Sequence, residues 1–60
     1  MVVGLKVYRV KNSEIYESLR NNLRGLAFFR KDDTGFYIKT PMNNVVELFL
    51  KNDLIEEIRQ

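Results

Sequence analysis

The chain has 60 residues, 45% apolar and 30% charged, with ten Lys/Arg against eight Asp/Glu for a formal charge of +2. That is length for one hydrophobic core, so residues 1–60 read as a single α+β domain, and the apolar fraction excludes a disordered chain. With no Cys and no His, disulfides, thiolate zinc sites and imidazole chemistry are excluded.

The opening apolar run from Met1 to Leu5 stops at Lys6, short of a secretory leader or a membrane span. The expectation is a cytoplasmic protein with no membrane contact. A charge of +2 falls well below the positive field of a dedicated duplex-DNA binder.

In chain order, Val2 to Val10 is β-rich, with Val3, Leu5 and Val7 on one face and Lys6, Tyr8 and Val10 on the other. Asn12-Ser13 then offers N-cap oxygens, Glu14 and Glu17 follow, and Ile15, Tyr16, Leu19 and Leu23 recur at helical spacing up to a capping Gly25. Leu26–Lys31 and Phe36–Thr40 flank Asp32-Asp33-Thr34-Gly35, where a type I turn followed by a left-handed glycine closes a hairpin. Thr40-Pro41 repeats a helix-start signal ahead of Val45, Val46, Leu48, Phe49 and Leu50.

On a helical wheel Leu54, Ile55 and Ile58 fall opposite the arc from Val45 to Leu50, so a break at Asn52-Asp53 and a final strand are expected. The order β-α-β-β-α-β is the split β-α-β or ferredoxin-like sandwich, two helices on one face of an antiparallel sheet. A β-α-β-β-α chain with a longer C-terminal helix is the alternative.

With Asp32 opposite Phe36, Arg30 faces Ile38, Phe29 faces Lys39 and Lys31 faces Tyr37. The expected core is then Leu26, Phe28, Phe36 and Ile38, joined by Val3, Leu5 and Val7. Ile15, Leu19, Leu23, Val45, Val46 and Phe49 of the helices cover it. The uncovered face carries Lys6, Tyr8, Ala27, Phe29, Lys31, Tyr37 and Lys39.

This face has two functional readings. As a protein interface it pairs with a second copy, in a homodimer, or with another protein, since Tyr and Phe are enriched at interfaces and small domains gain stability by association. As a single-stranded nucleic-acid surface it stacks bases on Tyr8, Phe29 and Tyr37 and neutralises phosphates with Lys6, Lys31 and Lys39. The element order resembles that of RNA-recognition-motif domains, whose middle strands carry stacking aromatics. The run Thr34-Gly35-Phe36-Tyr37-Ile38-Lys39-Thr40 matches only Gly-Phe of that family's third-strand signature, so the resemblance is one of topology. Arg20, Arg24 and Arg30 form a secondary basic patch.

No catalytic, cofactor or metal site is legible, and no small-molecule substrate is expected. Asp32-Asp33 suits a turn, and Glu56-Glu57 point apart on a strand. Gly4, Gly25 and Gly35 form no phosphate loop, and Ser13 and Ser18 lack a histidine base. The sequence therefore reads as a non-enzymatic interaction module.

Overall fold

The structure, a computed structural model, describes residues 4–58. Its elements are β1 (Lys6–Val10), α1 (Ser13–Asn22), β2 (Phe28–Asp32), β3 (Gly35–Thr40), α2 (Asn44–Lys51) and β4 (Ile55–Ile58). The four strands form one open antiparallel sheet in the order β2-β3-β1-β4, so β1 and β3 are central and β2 and β4 are edges. It is a small α+β fold. Residues 55–58 are a strand, which removes the alternative of a longer C-terminal helix.

Both helix starts are capped by asparagine. The Asn12 side chain accepts a hydrogen bond from the Ile15 N–H at 3.0 Å, as the N-cap reading of Asn12-Ser13 expects. The expected Thr40-Pro41 start of α2 is corrected: Asn43 is the N-cap, its side chain accepting from the Val46 N–H at 3.0 Å. Thr40 is instead the last residue of β3, fully buried, opposite Lys6 of β1. The helix cannot start there because that backbone already belongs to the sheet. Gly25 does not cap α1 directly either. Leu23 is the C-cap, and Gly25 takes its positive φ in the following turn.

The break between α2 and β4 has a physical cause. Asp53 adopts φ +59°, its N–H donates to the Leu50 carbonyl at 3.1 Å and the Leu54 N–H donates to the Phe49 carbonyl at 3.0 Å. This is a Schellman ending with aspartate in the left-handed position usually held by glycine. It reverses the chain, so β4 runs back beneath α2 and Ile55 joins Val46 in the core.

The core is one cluster. Tyr8 and Val10 of β1, Ile38 of β3 and Ile55 of β4 meet Tyr16, Leu19 and Leu23 from α1 and its cap, and Val46 from α2. Phe29, Phe36 and Ala27 pack on its margin. The Tyr16 ring meets Phe29 edge-on at 6.0 Å and Phe36 at 5.1 Å between centroids, distances at which aromatic pairs attract.

Two substitutions test these ends. Asn43→Ala should lower the unfolding free energy by about 1 kcal/mol in urea titration. Asp53→Gly should raise it by roughly 0.5–1 kcal/mol, because glycine takes the left-handed conformation without the Cβ penalty.

Candidate functional site

The hairpin fixes which side chains are available. Asp32 pairs with Gly35, which places Phe29 opposite Ile38, Arg30 opposite Tyr37 and Phe28 opposite Lys39. The expected register, Asp32 opposite Phe36, is therefore corrected by one residue, and one residue inverts the faces. The cause lies in the turn. The Asp32 carboxylate accepts from the Thr34 N–H at 2.8 Å and from the Thr34 hydroxyl at 2.6 Å, so the chain reverses over Asp33-Thr34 and Gly35, at φ +142°, already belongs to β3.

β1 is inverted in the same sense. Tyr8 and Val10 are buried under the helices, and Val7 and Arg9 lie on the open side. The residues expected on the uncovered face accordingly divide. Tyr37 and Lys39 lie on the open face. Tyr8 is fully buried and Phe29 and Ala27 pack on the core margin. Lys6 and Lys31 share the helix-facing side with Tyr8 and Phe29 by alternation, Lys6 reaching Glu57 at 3.9 Å. Of the expected core, Leu5, Leu26 and Phe28 are exposed and Val7 is half-buried; Val3 lies outside the described residues. The secondary basic patch divides too: Arg20 and Arg24 line a depression with Ala27 and Phe29 beside α1, while Arg30 stands on the open face.

Two rows cross the open face from edge to edge. The first runs Phe28–Lys39–Val7–Ile58 and the second Arg30–Tyr37–Arg9–Glu56. The first row is mostly apolar. Phe28 is 68% exposed and Leu26, just before β2, 65% exposed. Leu5, just before β1, lies at the same end of the sheet.

The second row is polar and ordered. The Arg30 guanidinium lies 4.6 Å over the Tyr37 ring and its Nε is 3.3 Å from Asp32. Because the Thr34 hydroxyl donates to Asp32, the Tyr37 hydroxyl, 2.7 Å from it, donates to Thr34. Asp32, Thr34, Tyr37 and Arg30 thus form one connected group. Hydrogen bonds from the Thr34 side chain, then from its backbone, hold the Asp32 carboxyl below the ordinary aspartate range.

Sequence reasoning missed Phe28, Val7 and Arg9 as open-face residues. Arg9 carried the signal, since a face containing it cannot be covered by helices without burying a guanidinium.

Tyr8 illustrates the cost of the arrangement. Its hydroxyl is buried with no hydrogen-bond partner among the described residues, and burial, then the Glu57 carboxylate, pushes the phenol above its ordinary value. The folded state therefore favours the neutral phenol. Its contribution is intact below the unfolded tyrosine value of about 10 and is lost as pH rises through the higher folded value. Tyr8→Phe should raise stability by about 1 kcal/mol at neutral pH and flatten the alkaline loss, read by urea titration across pH.

Among the described residues no helix is long and apolar enough to cross a membrane. Comparison with protein-family models, with curated proteins and with solved structures found no match, so function is read from this geometry alone.

Proposed function

We propose that this chain is a non-enzymatic protein-interaction module whose open sheet face seats a second copy of itself. The observation that carries this is the apolar row, with Phe28 at 68% exposure, adjoining a tyrosine clamped by arginine. Solvent-facing aromatic and aliphatic side chains grouped on one face mark interaction sites, and Tyr, Phe and Arg are the residues enriched in them. A face that is self-complementary under a two-fold axis closes at two copies. The element order and the strand order β2-β3-β1-β4 support the ferredoxin-like split β-α-β sandwich as the underlying arrangement. The absence of cysteine suits a reducing cytoplasmic setting.

The placement of Asp32, Glu56 and Glu57 supports a non-catalytic role. Asp32 is committed to the turn, and Glu56 and Glu57, adjacent on β4, point to opposite faces.

A second reading has its own support. Phe28 and Tyr37 share the open face with Arg9, Arg30 and Lys39, an aromatic and cationic combination that binds single-stranded nucleic acid.

Light scattering across protein concentration at high salt tests the first reading. A dimer is expected, because an apolar contact survives screening, and Val7→Lys or Phe28→Glu should weaken it at least about tenfold. A monomer at high salt overturns it. Single-strand binding whose log affinity falls linearly with log salt, and is weakened by Lys39→Ala, would establish the second reading instead.

A further inference from the structure

The two edges of the sheet match each other and not themselves. On its open side β2 carries Phe28, Arg30 and Asp32, and on its helix-facing side Phe29 and Lys31; β4 carries Glu56 and Ile58 on the open side, Ile55 and Glu57 on the other. Within the sheet β2 and β4 run in opposite directions, being separated by three antiparallel pairings. A second copy displaced sideways therefore brings its β2 antiparallel to the free edge of β4.

Directly opposed residues of an antiparallel pair point to the same face, which restricts the register. Arg30 must oppose Glu56 or Ile58. With Arg30 opposite Glu56, Phe28 opposes Ile58, Lys31 opposes Ile55 and Phe29 opposes Glu57, so all of β4 is used and Lys31 lies diagonal to Glu57. With Arg30 opposite Ile58, Asp32 meets Glu56 instead. Like edges do not suit one another: β4 against β4 sets a glutamate against its own copy, and β2 against β2, fully overlapped, sets Arg30 against Arg30. Charges of one sign on an edge strand deter pairing with the same edge. Here the net signs of the two edges are opposite: on β2 Arg30 and Lys31 outweigh Asp32, and β4 carries Glu56 and Glu57.

We propose that β2 of one copy pairs with β4 of another, Arg30 opposite Glu56, joining copies head to tail in one continuous antiparallel sheet. Across the junction the polar row then reads Tyr37, Arg9 and Glu56 followed by the second copy's Arg30, so each Glu56 lies between two guanidinium groups. The pairing is heterologous and does not end at two copies unless its rotation closes a ring. It does not depend on the open-face contact, which closes at two and resists salt.

The test is light scattering at about 0.05 M and about 0.5 M salt, with amide hydrogen exchange on the same samples. At low salt the mass should climb past two copies with concentration, with exchange slowing on Phe28–Asp32 and Ile55–Ile58; high salt should reverse both. Arg30→Glu and Glu56→Arg should each weaken growth about tenfold. The milder Arg30→Gln and Glu56→Gln should weaken it less, with circular dichroism confirming folding. Mixed in equal amounts in a Val7→Lys background, which weakens the open-face contact, the Arg30→Glu and Glu56→Arg chains should regain growth in alternation, because one junction has the charges exchanged and the next is the native Arg30–Glu56 pair. Mass that never exceeds two at low salt, or growth that leaves the edge amides unprotected, overturns the pairing.

Discussion

The guanidinium of Arg9 decides which side of this sheet is covered. β1 is paired along both flanks, so the direction in which its residues point is passed to β3, then β2, and to β4. Its two alternating sets are not equivalent. One holds Val7 with Arg9, and covering it would strand a charge at a cost of several kcal/mol. The other holds Tyr8 and Val10, each contributing about 1.5–3 kcal/mol on burial, with Lys6 at the margin where its stem reaches the Glu57 carboxylate. The helices cover the second set, and the exposed row from Phe28 to Ile58 is the consequence.

In a domain of this size local devices matter as much as the core. Two asparagine caps, an aspartate turn and a left-handed aspartate at residue 53 define where elements begin and end. The core holds a Tyr8 hydroxyl that has no partner among the described residues, with the ring in the cluster shared by the sheet and both helices. The group of Asp32, Thr34, Tyr37 and Arg30 ties the hairpin turn to the open face. Order at the turn is thereby order at the surface.

The elements were legible in the residues because periodicity reports them directly: Tyr16, Leu19 and Leu23 at helical spacing, and the shift of apolar arc at Asn52-Asp53. The faces were less so. Asp32-Asp33-Thr34-Gly35 accommodates either a turn with a left-handed glycine between the strands or a tighter turn with glycine inside β3. The choice is made by the hydroxyl and N–H of Thr34 on one carboxylate, a competition that turn propensities leave open. That one-residue difference moves Phe29 and Lys31 to the covered side and brings Phe28 and Arg30 out. Tyr37 and Lys39 keep their expected side because Phe36 and Ile38 set the phase of β3. Thr40-Pro41 misled for a similar reason, a sound local signal overridden by pairing with Lys6.

The central position of β1 also has a kinetic side. Its partners come late in the chain: Tyr8 aligns with Ile38 on one flank, and Val7 with Ile58 on the other. The β2–β3 hairpin can close on its own, but β1 cannot be paired until a loop of about half the chain has closed on its β3 flank and one spanning most of the chain on its β4 flank, and such non-local pairing slows folding. A nascent chain therefore carries β1 with one flank bare until its last strand is available. In that interval Tyr8 and Val10, both buried in the finished sheet, are the residues of β1 most in need of cover.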